Sequence, residues 1–149
     1  MKLPMAQRLC LILSLLFALP AVAAAAQFAD YPAEQIYDRK PAPVEFANGQ
    51  GGRQFKTRLS KAAAGGPNYA GMLTVVSWEC GVNCEILTLV SAKTGRITKL
   101  VSTCGAHAYR LYSRLLIVNP KEVGVQYPDH CRTEYYVWNG QSLESLPAP

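Results

Sequence analysis

Hydrophobic and polar positions along the 149 residues change period several times, and each change predicts an element. Residues 9–19 (LCLILSLLFAL) form a nearly continuous apolar run that stops at Pro20. Residues 27–47 carry Pro32, Pro41 and Pro43, which exclude a continuous helix and predict an extended lead-in with a short strand near 44–46. The cluster Asn48-Gly49-Gln50-Gly51-Gly52 predicts a turn. Across residues 53–64, Phe55, Leu59, Ala62 and Ala63 fall at i, i+4, i+7 and i+8, one face of a 3.6-residue period. Lys56, Arg58 and Lys61 lie mostly off that face, so the spacing predicts an amphipathic helix that packs by one stripe on a sheet. Gly65-Gly66-Pro67 ends it.

From Tyr69 onward the pattern is that of strands. Residues 72–79 (MLTVVSWE) and 85–91 (EILTLVS) are rich in β-branched and aromatic side chains, and the short stretch Cys80 to Cys84 between them suits a hairpin. Further strands are expected at 97–102, 115–118, 133–138 (TEYYVW) and around 143–146, separated by turns at Lys93-Thr94-Gly95-Arg96, Asn119-Pro120 and Asn139-Gly140. About six strands joined by short turns, with one helix near the start of the mature domain, predict an α+β class with a mainly antiparallel, meandering sheet. No repeat long enough for a propeller or solenoid is present.

The apolar run at 9–19 has the setting of a secretory signal peptide. Lys2 and Arg8 precede it, no acid occurs before Asp30, and small residues follow at 21–26. Cleavage is expected after Ala26, with Ala23 and Ala25 also admissible. A membrane-spanning helix needs about 20 apolar residues, and the core here is shorter. Cys10 lies inside that core with no small residue before it, so it is read as discarded with the leader and not as a lipidation site. Export leaves residues 27–149 as a single periplasmic or secreted domain with no membrane anchor. Because Lys2 and Arg8 leave and no acid does, the net charge drops from +5 to +3. The densest basic group, Arg53, Lys56, Arg58 and Lys61, is interleaved with apolar positions and reads as the solvated side of a helix. No nucleic-acid-binding module accompanies it.

Cleavage also removes the odd cysteine and leaves Cys80, Cys84, Cys104 and Cys131 in an oxidising compartment, the composition of a disulfide framework with three possible connectivities. The preferred pairing joins Cys80 to Cys84 and Cys104 to Cys131. The first fixes the shape of one loop; the second closes a long one, worth roughly 3–4 kcal/mol in chain entropy. A competing metal reading takes Cys104, His107, His130 and Cys131 as ligands, although Cys-x3-Cys with distant Cys and His is no established zinc spacing. No cofactor is expected on the disulfide reading.

Three stretches carry a resemblance. Pro67-Asn68-Tyr69-Ala70-Gly71, Val75-Val76-Ser77-Trp78-Glu79-Cys80-Gly81-Val82-Asn83-Cys84 and Ala92-Lys93-Thr94-Gly95-Arg96 are similar to a family of small exported bacterial proteins of unknown function. Their common core reads roughly PNFAGHY…VxWGCGTxC…DAxTGxV. The lead-in, residues 113–118 and the closing YYVWNG are similar too, so the resemblance spans most of the mature chain. It implies export and fold class and assigns no activity. Two positions depart from it: Met72 stands where the family has His, and Glu79 where it has Gly.

Signals for catalysis are weak. No nucleophile elbow, zincin motif or phosphate loop occurs, and Ser102 or Ser113 with His107 and Asp129 is a set that chance supplies in a chain this size. Cys-x3-Cys is not a thioredoxin-like spacing, and no βαβ pattern surrounds it. Binding fits better. Aromatics crowd the last third, where alternation puts Tyr135 and Val137 on one face of their strand and Tyr136 and Trp138 on the other, one of the two being core. The candidate binding residues are Tyr136 among these aromatics and, on a second surface, Trp78, Glu79, Asn83 and Glu85 at a disulfide-fixed loop with Glu79 and Glu85 on its shoulders. These features describe an exported, non-enzymatic domain that binds a protein or envelope component, with an inhibitor or immunity protein as a concrete version; the Ser-Gly-x-Tyr loop of small lysozyme inhibitors is missing. The alternative is a small envelope metal protein or hydrolase that uses the Cys and His residues.

Overall fold

Alternation of β-branched and aromatic residues builds the longest elements, a hairpin of β1 (Leu73–Gly81) and β2 (Cys84–Ser91). A computed structural model describes residues 25–46, 53–121 and 126–147. The expected leader up to residue 24, with Cys10, and the turn cluster at 48–52 lie outside the described residues. The two strands pair antiparallel from Leu73↔Ser91 to Glu79↔Glu85, and a bulge between Glu79 and Gly81 shifts the register before the turn. Asn83 takes the left-handed conformation there (φ 50°), which Asn tolerates better than most side chains. β3 (Ile97–Thr103) adds antiparallel to β2, giving a three-stranded sheet in the order β1-β2-β3.

At Cys104–Gly105 the chain leaves this sheet, with Gly105 at φ 106°, and starts a second one. Its strands are β4 (His107–Tyr109), β5 (Leu115–Val118), β6 (Glu134–Trp138) and β7 (Leu143–Ser145), antiparallel in the order β4-β5-β6-β7. Among the described residues, seven strands in two sheets replace the expected single meander of about six. β4 is three residues long, too short for an alternation to show, and nothing local in the sequence marks the crossing between sheets. The expected strand at 44–46 is also corrected. It shrinks to one parallel bridge, Glu45↔Arg96, because the proline-bearing lead-in cannot donate a regular ladder.

The helix α1 (Arg53–Ala64) and the two sheets form three layers. Leu73, Val75, Leu87, Leu89 and Val101 of the first sheet join Leu116, Val118, Trp138 and Leu143 of the second in the main core. The opposite face of the first sheet offers Val76 and Val90 to Leu59 and Ala63 of α1, with Phe55, Trp78 and Ile97 half-buried around them. The first sheet is thus covered on both faces.

The extended lead-in is strapped along the sandwich by its backbone. Tyr37 N–H donates to the Gly71 carbonyl (2.7 Å), Ala42 N–H to Ala92 (2.8 Å) and Glu45 N–H to Gly95 (2.9 Å). Gly71 and Gly95 have φ of 74° and 76°, and a Cβ on either would collide with the carbonyl of Gln35 or Pro43 respectively. Ser113, buried beneath the strap, donates its hydroxyl to the carbonyls of Phe28 (2.9 Å) and Tyr31 (3.0 Å). Tyr69 is fully buried and its Oη donates to the Arg114 carbonyl at 2.5 Å.

Burial raises the Tyr69 hydroxyl far above the usual tyrosine range, and burial also raises Tyr109. Tyr136 is pushed up to about 12 by burial and then by its hydrogen bond to Glu134. In the unfolded chain these phenols ionise near 10. The folded state therefore holds protons that the unfolded state has already lost, so this stability is intact below pH ~10 and lost as pH rises through the folded values. Tyr69→Phe removes one such proton. Alkaline titration of unfolding should give a shallower loss above pH ~10 for the variant, with a penalty of about 1 kcal/mol at neutral pH for the lost hydrogen bond. Identical alkaline slopes would contradict the assignment.

Candidate functional site

α1 is held on the sheet by Leu59 and Ala63, and this seat decides where its polar side goes. Arg58 and Lys61 are exposed and overhang the outer margin of β1. Beside them the Phe55 and Trp78 rings meet edge to face, with centroids 5.2 Å apart and planes at 88°. These four side chains and Glu79 line an open groove of about 820 Å³. Its floor is aromatic and half-buried, and one wall is cationic. No acid on the helix offsets Arg58 and Lys61, so the wall they form is positive. Arg58 Nη1 makes one long, exposed hydrogen bond to the Ser77 carbonyl at 3.5 Å.

Directly after Glu79 the chain enters the hairpin tip. Cys80 and Cys84 form a disulfide with Cα atoms 5.1 Å apart. Val82 at the tip is 94% exposed, and Asn83 beside it is exposed as well. A ring this small fixes the shape of the hairpin tip. The second disulfide, Cys104–Cys131 with Cα atoms 6.0 Å apart, ties the exit of β3 to the segment before β6.

Of the residues expected to bind, Trp78 and Glu79 come together in the groove, and Asn83 stands at the tip beyond it. Glu85 and Tyr136 are placed elsewhere. Glu85 lies directly across the strand from Glu79, and its carboxylate accepts from His107 Nδ1 at 3.1 Å, with the two side chains 15% and 17% exposed. His107 stacks on Tyr109, with ring centroids 5.7 Å apart and planes 3° from parallel. This pair bridges β2 of one sheet to β4 of the other. Tyr136 packs against the main core and donates its hydroxyl to Glu134. Phe55, Arg58 and Lys61 were absent from the expected set. Their signal was present in the chain as a helix with basic residues beside its apolar stripe, a pattern that solvated helices share.

The Cys/His alternative separates into two places. One ligand atom each from Cys104, His130 and Cys131 lies within 4.8 Å of the others, whereas His107 is with Glu85. Both sulfurs of the trio belong to the disulfide and carry no thiolate charge in that state. Ser113, Ser102, His107 and Asp129 make no hydrogen bond to one another among the described residues. The Ser113 hydroxyl is committed to backbone, accepting from Leu115 N–H as well as donating to the lead-in. A second open groove, about 1100 Å³, runs along Asn119, Arg132 and Tyr135, but Ala25 and Ala26 form part of its wall. The expected cleavage after Ala26 would remove them. No protein-family model, curated protein or solved structure significantly matches this chain.

Loop entropy separates the two disulfides. Replacing both Cys104 and Cys131 by Ser should lower stability in urea by about 3–4 kcal/mol, and replacing both Cys80 and Cys84 by about 2 kcal/mol. The reverse order would contradict the division into a stability bridge and a shape bridge.

Proposed function

We propose that the protein is an exported, non-enzymatic domain that holds a protein partner in the groove between α1 and β1. The observation that carries this reading is the combination in one concavity of a half-buried Trp78–Phe55 pair with the cations Arg58 and Lys61. Tryptophan and arginine dominate binding energy where they meet a partner, because they bury large area while keeping a polar contact. Here the backbone beneath them is held by the Cys80–Cys84 ring and by the core under α1, so little ordering cost is left for the moment of binding.

Export is supported by the leader pattern at 1–26, by the resemblance to small exported proteins and by two disulfides, which accord with an oxidising compartment. No helix among the described residues is long and apolar enough to cross a membrane.

A second reading has one specific observation behind it, the convergence of Cys104, His130 and Cys131. It requires the free thiols that the disulfide removes. Counting thiols and bound zinc or copper in the purified mature protein decides it: two free thiols with stoichiometric metal support a metal centre, and four oxidised cysteines without metal sink it.

The groove reading is tested by site-specific photocrosslinking in cells that make the full chain. A photoreactive residue in place of Lys61 should yield a discrete protein adduct, while one in place of the exposed Gln141 should not. Arg58→Glu, on a solvent-facing position, should deplete the Lys61 adduct about tenfold, as loss of one anchoring charge contact predicts. Equal adducts at both positions, no adduct at Lys61, or indifference to Arg58→Glu would each overturn the assignment.

A further inference from the structure

β1 is an edge strand, and its outer margin shows how it is kept from pairing. In an antiparallel ladder alternate residues turn both backbone groups away from the neighbouring strand. On β1 these are Leu73, Val75, Ser77 and Glu79. Leu73 is satisfied by the preceding turn: its N–H donates to the Tyr69 carbonyl (2.9 Å), and its carbonyl accepts from Asn68 and Tyr69 (2.9 Å each). Val75 is satisfied by a side chain that imitates a strand. Asn68 Oδ1 accepts from Val75 N–H at 2.8 Å, and Asn68 Nδ2 donates to the Val75 carbonyl at 3.4 Å. At Ser77 the cover thins to the single long bond from Arg58 to its carbonyl, 3.5 Å. Among the described residues nothing meets the Ser77 N–H or either backbone group of Glu79. The open stretch ends at the bulge and the Cys80–Cys84 ring.

We infer that the groove takes an extended acidic peptide segment of the partner, which adds as a short strand to β1 at Ser77 and Glu79. The inference rests on the groove reading and specifies its mode. Three free backbone groups and a fourth guarded only by Arg58 form a template for strand addition. The Arg58 bond to Ser77 is exposed and at the limit of hydrogen-bonding distance, so giving it up costs little. Arg58 can then turn to an incoming carboxylate, which it pairs more strongly than a neutral carbonyl. The two cations that α1 turns to the groove, Arg58 and Lys61, on a helix that carries no acid, select an acidic segment. Because strand side chains alternate, residues two apart share the helix side: one carboxylate reaches Arg58 and Lys61, and the next residue on that side, apolar or aromatic, lies over Trp78. Asn68 and the disulfide ring limit the added strand to a few residues at its two ends, which also disfavours runaway edge pairing.

The probe is an acetylated hexapeptide with a glutamate and a phenylalanine two positions apart, titrated against the mature protein by fluorescence anisotropy and amide NMR. Two twins carry N-methyl groups on alternate residues, one on the amides that would face β1 and the other on those that would not. Strand addition predicts that one twin binds about tenfold more weakly, since it loses main-chain hydrogen bonds, while the other binds unchanged. It also predicts that Arg58→Glu or a lysine in place of the peptide glutamate weakens binding by a similar factor, and that Ser77 and Glu79 amides shift. Equal binding of both twins, still weakened by Arg58→Glu, would overturn strand addition and leave the groove reading standing. No binding, or shifts away from Trp78, would overturn both. Self-association that perturbs Ser77 and Glu79 without peptide would show that a second copy of the chain occupies the edge, and would overturn the peptide proposal.

Discussion

The three-stranded sheet is covered on both faces, and most of what the molecule can do follows from that constraint. Leu73, Val75, Leu87 and Leu89 are committed to the second sheet, and Val76 and Val90 to the helix. β2 is flanked by strands on both sides. The first sheet keeps two outer margins, along β1 and β3, and at β1 the helix α1 lies close enough to provide side chains. Burial on two faces also makes that margin rigid. A slip of one residue would send the apolar set of β1 to the wrong layer, so the register that exposes Ser77 and Glu79 is enforced by both cores.

The remaining features defend this arrangement at its ends. Tyr69, buried and bonded to the Arg114 carbonyl, ties the turn before β1 to the second sheet. The same turn carries Asn68, whose amide closes the margin at Val75. At the other end the Cys80–Cys84 ring stops the ladder, and the Glu85–His107 pair holds β2 against β4. That pair also matters for charge. Glu79 and Glu85 stand opposite each other, a destabilising arrangement for two carboxylates, and His107 offsets it by engaging Glu85. Glu79 is left as the acidic end of a groove whose other wall is basic.

Legibility in the sequence followed the range of the interactions. The α1 stripe of Phe55, Leu59, Ala62 and Ala63 is a local period, as is the alternation of β1 and β2, and both are visible without tertiary knowledge. The spacing of Cys80 and Cys84 carries its own meaning, since five residues in an oxidising compartment leave a small ring as the natural product. The second sheet was not separable from the first, because β4 is short and the crossing at Cys104–Gly105 has no turn signature beyond one glycine. Within the site, Trp78 and Glu79 were readable from their place beside the cysteines. Arg58 and Lys61 were not, because their role comes from lying over a strand 19 residues away in the case of Arg58 and Ser77. Glu85 reads in the sequence as a shoulder of the loop, and its engagement comes from the long-range contact with His107.

Hydrogen exchange along β1 in the free protein tests the central claim most directly. With both faces buried and one edge open, Val76 and Trp78, whose amides face β2, should exchange orders of magnitude more slowly than Ser77 and Glu79, whose amides face the groove. Val75, closed by Asn68, should be slow with the first pair. Uniform protection from Val75 to Glu79 would contradict the open margin, and uniform fast exchange would contradict the register itself.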